Sequence, residues 1–293
     1  MEKITSFLYE DGTECVHVEN INRLNLFKTF DCGQAFRFEP VSLLGKKYEY
    51  SGVAFGKAVI FAQDAENELF IYNSTKEEYL NIWRNYFSLD VDYLAIDRDL
   101  NSILPETVIE RAVEASSGIR ILRQDSWEAL CSFIISQNNN IPRIKKIIAT
   151  LCEKYGNRVE LFGRVDYTFP TPNALMLAGV GALYALKTGF RAKYIFDASS
   201  KVCSGEIDLD CVRGLSYQDG VSYLSKIKGV GLKVASCALL FGFDKTEAFP
   251  VDVWIKRVLE RYFPDGLDIS LLGKHAGICQ QYLFYYEKYI QST

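Results

Sequence analysis

Tyr223-Leu-Ser-Lys-Ile-Lys-Gly-Val-Gly-Leu-Lys-Val-Ala235 is the stretch on which the reading of this chain turns. The pattern predicts a helix ending near Ile227, a tight turn at Gly229-Val230-Gly231, and a second helix to about Phe241. Two glycines one residue apart allow a left-handed turn and let another backbone approach closely. The second helix offers unpaired N–H groups at the turn, where a phosphate is favoured. A plain helix–helix turn accounts for the same glycines, and Gly179-Val180-Gly181 is read as such a turn. Lys233 sets the first turn apart. It stands in the first turn of the second helix, where a cation opposes the helix dipole by roughly 0.3–1 kcal/mol. Cys237 follows one helical turn later on the same face, while Val234, Ala238 and Phe241 make a separate apolar stripe. A lysine so placed is either a phosphate contact or an activated amine. A free lysine amine keeps its proton up to about pH 10. An attacking amine therefore needs burial or a neighbouring base to take the proton.

A possible base lies nineteen residues on, in Phe249-Pro-Val-Asp-Val253. Asp252 leads into a predicted helix that carries Lys256 and Arg257, so it is a good N-cap. It is read as a cap, as a carboxylate working beside the amine, or as both.

Outward from the hairpin, the chain changes character. The first part is rich in Val, Ile, Phe and Tyr, punctuated by Gly, Asn and Asp, as in an antiparallel sheet. Strands are expected at 14–18, 25–30, 35–38, 47–54, 58–62 and 68–72. Near Thr75 the period changes, and Thr75-Lys-Glu-Glu78 reads as a capping box for a helix through Phe87. From there to the end the pattern is helical. Helices are expected at 127–136, from Pro142 to about Tyr155, after Pro170 and Pro172, and from about His275 to Ile290. The fold class is therefore α+β: an antiparallel β-rich N-terminal domain, residues 1–75 with helices to about 118, followed by an all-α helix-hairpin-helix domain over 119–293.

Composition narrows the class. Apolar residues make up 48% and charged residues 24%, ordinary for a globular chain. No apolar run reaches the roughly 18 residues of a membrane helix, and Met1 to Asp11 lacks the pattern of a signal peptide. None of the eight cysteines forms a Cys-x-x-Cys, which argues against a zinc ribbon or a thioredoxin site. They are read as reduced core residues of a cytoplasmic protein, associated with the nucleoid or in the nucleus. The net charge of −4 does not by itself suggest nucleic acid, but phosphate contact depends on a local basic face.

Gly229-Val-Gly-Leu-Lys233 followed by Pro250-Val-Asp252 resembles the helix-hairpin-helix, Gly/Pro-rich, Asp superfamily of DNA glycosylases. The resemblance implies that the damaged nucleotide is flipped out of the duplex. Lys233 would attack the sugar C1′, the base would leave, a Schiff base would form, and β-elimination would nick the strand. Asp252 would stabilise the cationic sugar and carry protons. Relatives that only hydrolyse the base lack the lysine, so the resemblance implies a glycosylase that is also an abasic-site lyase. Some relatives bear a four-cysteine iron–sulfur cluster. Only Cys279 follows Asp252 here, so neither a cluster nor any catalytic cofactor or metal is expected. A structural cation at the hairpin turn is a further expectation.

Other segments resemble the 8-oxoguanine DNA glycosylases over nearly the whole chain: Cys32-Gly-Gln-Ala-Phe-Arg37, Ile121-Leu-Arg-Gln-Asp125, Ser132-Phe-Ile-Ile-Ser-Gln-Asn-Asn-Asn140, Thr188-Gly-Phe-Arg-Ala-Lys-Tyr194 and Ala276-Gly-Ile-Cys-Gln-Gln-Tyr-Leu-Phe284. Oxidised guanine carries a proton on N7 where guanine has a lone pair. The resemblance assigns the carbonyl that accepts this proton to Gly33, so that guanine meets an unmatched acceptor. It places the base between Phe284 and Cys237, with the Gln280 amide on its Watson–Crick edge. Asn138 would fill the gap left by the flipped base, and Phe190 would wedge the stack. Arg143 and Arg191 would face the opposite base. Lys187, Lys193, Lys226 and Lys228, with the Gly229 and Gly231 turn, are candidate phosphate contacts. Each residue also has an ordinary reading as strand kink, core, helix end or solvated surface.

Two positions depart from the family. Trp254 stands where a His is common, and Tyr289 where eukaryotic enzymes carry an Arg. The second departure implies a relaxed preference for cytosine opposite the lesion. The expected partner is duplex DNA containing 8-oxoguanine, engaged by a monomer. Two alternatives stay open: a glycosylase for another damaged base, and a non-catalytic helix-hairpin-helix DNA-binding protein.

Overall fold

A computed structural model describes residues 2–291 of the chain. Internal contacts group it into two units. One comprises residues 1–51, 59–123 and 249–293; the other comprises 52–58 and 124–248. The grouping differs from the order in sequence, because the last helices pack with the N-terminal part.

The N-terminal region builds a six-stranded antiparallel sheet, as the alternation of apolar and polar residues requires. Its strands are β1 (Lys3–Leu8), β2 (Glu14–Glu19), β3 (Glu39–Pro40), β4 (Tyr48–Ala54), β5 (Lys57–Gln63) and β6 (Glu68–Tyr72), in the order β1-β2-β6-β5-β4-β3. β5 is buried almost throughout, and Phe61 packs in a cluster with Phe30, Phe38, Trp83, Tyr86 and Phe87. Rings at these edge and stacked distances contribute beyond their area.

Two expectations are corrected here, and one strand is added. Residues 25–30 are not a strand: Leu26–Asp31 is a helix whose N-cap, Asn25, accepts from Lys28 N. Residues 35–38 form no strand, and pairing begins only at Glu39. β1 was not anticipated; it is an edge strand with an exposed pattern, so it carries no core period. The capping box at Thr75–Glu78 forms in both directions.

The C-terminal helix Ala276–Tyr285 is buried on every side and continues as a π-helical turn over Tyr286–Ile290. It is tied to its unit by specific bonds. The Tyr282 hydroxyl donates to Asp97, and the Ser116 hydroxyl donates to the Tyr282 carbonyl.

The second unit is mostly helical. Its helices include Ser126–Ser136, Ile141–Tyr155, Arg191–Ser204, Tyr217–Leu224 and Leu232–Phe243. The expectation of helix throughout is corrected at one place: β7 (Arg158–Leu161) and β8 (Arg164–Tyr167) pair as a hairpin. Its two-residue loop, Phe162-Gly163, has both residues at positive φ, as a tight hairpin turn demands. Gly179 breaks the helical stretch Pro172–Leu183 with φ 74.

Candidate active site

The hairpin forms as its glycines dictate. Tyr217–Leu224 ends, the turn follows, and Leu232–Phe243 begins at Gly231 with no side-chain cap. The first N–H groups of that helix are therefore unclaimed by a cap. Gly229 is irreplaceable on two counts. Its φ is +78, and a Cβ there would lie 2.4 Å from the Tyr194 ring. Gly231 has an extended backbone and open space around it, so its use is access rather than conformation.

The Arg191–Ser204 helix seats the turn. Asp197 accepts from the backbone N–H of Lys228 at 2.7 Å, and the Lys201 ammonium donates to the carbonyl of Lys226. Lys201 also pairs with Asp197 and Glu206. The Lys226 carbonyl is thus held by a neighbouring ammonium. Lys187, Lys193, Lys226 and Lys228 are exposed around these elements.

Lys233 is half-buried. Its ammonium donates to the Ser136 hydroxyl at 3.4 Å and lies 5.8 Å from the centre of the Phe133 ring. Among the described residues it makes no ion pair, so its charge is met by a neutral hydroxyl and an aromatic face. Cys237, one turn on, is buried with 5% exposure. Cys203 and Cys211 are exposed.

The three asparagines after Ser136 divide their labour. Asn140 caps the next helix through Arg143 N, and Asn139 donates to the Ile135 carbonyl. Asn138 is exposed at φ 48. Arg143 is exposed in the first turn of the Ile141–Tyr155 helix. Phe190 is 49% exposed beside Gly189, which stands at φ 61. Arg191 is a different matter: it is 2% exposed and bonded to carbonyls of its own unit.

The first unit holds Gly33, Gln280 and Phe284. Gly33 has φ 76, a conformation only glycine takes without strain. Its loop is pinned on both sides. The buried Gln34 amide donates to the carbonyls of Thr29 and Arg120 and accepts from Leu122 N. Gln281 donates to the Cys32 carbonyl at 2.7 Å, which joins the loop to the C-terminal helix. On that helix Gln280 is 5% exposed, and its Oε1 has no hydrogen-bond partner among the described residues. Phe284 is 8% exposed one turn later.

Asp252 caps the Val253–Tyr262 helix. Its Oδ1 accepts from Trp254 N at 3.0 Å and Ile255 N at 2.9 Å, and Oδ2 makes no hydrogen bond among the described residues. One oxygen holds the helix and the other is free. Trp254 is half-exposed and lies under the Arg257 guanidinium at 4.7 Å.

Sequence reasoning missed Lys288. Its ammonium lies 5.3 Å from the Phe284 ring centre and donates to the Tyr289 hydroxyl at 2.7 Å. Burial pushes its pKa down, against the opposing pull of Asp31, Cys32 and Asp252. Its spacing of four from Phe284 was the signal that could have found it.

The sequence matches the family model for the 8-oxoguanine DNA glycosylase N-terminal domain over residues 17–130, and that for helix-hairpin-helix GPD superfamily base excision DNA repair proteins over 131–266. The solved complex of MBOgg1 with a low-affinity DNA ligand is 39% identical, with a TM-score of 0.90 and 99% of each chain covered. The chain belongs to the 8-oxoguanine DNA glycosylase family. A second family structure is the Clostridium acetobutylicum 8-oxoguanine glycosylase/lyase bound to duplex DNA with cytosine opposite the lesion. It is 36% identical, with a TM-score of 0.88 and 97% of each chain covered. The N-glycosylase/DNA lyase of Saccharomyces cerevisiae is 29% identical over 276 residues, which are 83% of this chain and 69% of that protein. This 8-oxoguanine DNA glycosylase family member has no helix, among the described residues, long and apolar enough to cross a membrane.

Proposed function

We propose that this chain excises 8-oxoguanine from duplex DNA and then cleaves the abasic strand, with Lys233 as nucleophile and Asp252 as the assisting carboxylate. The observation that carries the substrate assignment is Gln280. Its buried amide oxygen has no partner among the described residues, on a helix hydrogen-bonded to the loop of Gly33. A buried acceptor left unmade costs about 1–3 kcal/mol, and the N–H groups on the Watson–Crick edge of a guanine-type base would satisfy it. Gly33, held at positive φ, would offer its carbonyl to N7–H. The lone pair of undamaged guanine would be repelled there.

The chemistry needs no cofactor. The Lys233 amine attacks C1′ and the bond to the base breaks, its electron pair leaving with the base. The resulting N,O-acetal opens to a Schiff base as the C1′–O4′ bond breaks and O4′ takes a proton, and loss of a C2′ proton then expels the 3′ phosphate. Asp252, with one oxygen uncommitted, would stabilise the developing positive charge on the sugar and take the amine proton. On the DNA side, the uncapped helix at Gly231 and the surrounding lysines would bind phosphates. Asn138 would fill the gap and Phe190 would wedge the stack. The enzyme would act as a monomer where DNA is, in the nucleoid or the nucleus.

Recognition of the opposite base is proposed to be relaxed. Tyr289 is occupied with Lys288, and Arg191 with its own loop, which leaves Arg143 exposed. Excision opposite C and A should agree within a few-fold; a preference of a hundredfold for C would contradict this. Single-turnover excision of 8-oxoguanine against guanine, by wild type and Gln280→Ala, tests the substrate reading. Wild type should release only the oxidised base, and Gln280→Ala should be slower by roughly ten- to a hundredfold. Absence of release by wild type would overturn the assignment.

A further inference from the structure

We infer that Lys288 is a positioning residue for the leaving group: its ammonium, seated over the Phe284 ring, supplies the positive charge that meets the oxidised base as it departs as an anion. The inference rests on the reading above for the base that stacks on Phe284. Lys288 follows Phe284 by four residues, where the C-terminal helix passes into its π-helical turn. Residues so spaced are neighbours on a helix face. The ammonium lies 5.3 Å from the centre of the Phe284 ring, within the range of a cation–π contact. One face of the ring is thereby taken, and the other is left for a base.

The ammonium is held in this place by its neighbours. Lys288 is half-buried, and the Tyr289 ring centre lies 4.4 Å from its nitrogen. It donates to the Tyr289 hydroxyl at 2.7 Å, and among the described residues it makes no ion pair. A lysine ordinarily keeps its head in water, and drawing the charge out of water is unfavourable. An apolar side chain of similar length would fill the space without that penalty, so what Lys288 adds is charge. Burial pushes its pKa down, while Asp31 and Cys32 beside Gly33, and Asp252 at the start of the Val253–Tyr262 helix, pull it up. All of these groups belong to the first unit. When the bond from C1′ to the base breaks, its electron pair stays on the base. The base carries away a negative charge, and no proton from Lys288 is needed. A base stacked roughly 4.5 Å beyond the ring would lie roughly 10 Å from the ammonium. At an effective dielectric constant of about 20, that attraction is worth on the order of tenfold in rate. The neutral base before cleavage gains far less, so the charge acts on the departing anion.

The test separates base release from the step that follows it. Lys288→Met should slow single-turnover release of 8-oxoguanine by about tenfold. Strand cleavage at a preformed abasic site, from which no base departs, should match wild type in the same variant. Lys288→Arg keeps the cation and should restore most of the release rate. An equal loss in both assays would make Lys288 a structural or DNA-binding residue and overturn the inference. Unchanged release in Lys288→Met would overturn it as well. Lys288→Gln covers the case in which Lys288→Met fails to fold. It keeps a donor for the Tyr289 hydroxyl without the charge, and it should show the same split between the two assays. Release at the wild-type rate by Lys288→Gln would overturn the inference. If wild type releases no 8-oxoguanine at all, the substrate reading fails and the inference with it. Release by wild type that Lys288→Met leaves intact sinks the inference alone.

Discussion

The two units handle their candidate residues in opposite ways. In the unit that holds Gly33, Gln280 and Phe284, Gln280 and Phe284 are buried, Gly33 is half-buried, and the loop of Gly33 is locked by side-chain amides. In the unit that holds the hairpin, the residues assigned to DNA sit at helix starts and turns, and Asn138, Arg143, Phe190, Gly229 and Gly231 reach solvent. The difference follows from what each must recognise. Telling one base from another needs fixed donors and acceptors in a dry setting. Gripping a duplex needs exposed N–H groups and charges that reach phosphates, which carry no base identity.

The comparison breaks or sharpens under mutation. The largest effect below the nucleophile itself should come from Asp252→Asn. Asparagine still caps a helix, so the melting temperature should hold while base release slows by roughly 10²–10⁴-fold. Unchanged single-turnover release would remove Asp252 from the chemistry. In the DNA-gripping unit, Gly229→Ala should cost about 1–2 kcal/mol from its backbone conformation alone, with more from the Tyr194 ring. Adding Tyr194→Ala should recover only the steric part, read by thermal unfolding. In the same unit, Lys226→Ala should weaken undamaged and damaged duplexes alike and lower the salt slope of binding by about 0.9. A loss specific to damaged DNA would move Lys226 out of the phosphate set.

The smallest effect concerns the buried thiols. Burial pushes Cys32 and Cys279 up to about 12. A thiol whose folded pKa exceeds its unfolded value keeps its proton longer in the native state, so stability falls as pH rises between about 9 and 12. Cys279→Ala should flatten that decline in thermal melts. A decline of unchanged steepness would assign it to other groups.

Much of this was legible in the sequence, because the hairpin and the sheet rest on local signals. Gly229 declares a left-handed turn, and Thr75 with Glu78 declares a helix start. What was not legible depended on tertiary context. Leu26-Phe-Lys-Thr-Phe has strand-like residues, yet the Asn25 cap and burial of Leu26 and Phe30 make it a helix. The β7–β8 loop uses Phe-Gly where Asn-Gly would have signalled a hairpin. Arg191 was assigned from the resemblance to face the opposite base, while its bonds to the Gln137 and Asn138 carbonyls are visible only in the fold. Gln280 was named from a resemblance, while its unpartnered oxygen is visible only in the fold.

The central claim is that Lys233 is the nucleophile. Among the described residues its ammonium meets a hydroxyl and a ring in its own unit and no carboxylate. Borohydride reduction during turnover on duplexes bearing 8-oxoguanine tests this most directly. Wild type should be trapped covalently on the DNA, and Lys233→Gln should leave no trapped complex while still binding the duplex. A complex that still traps in Lys233→Gln would contradict the account.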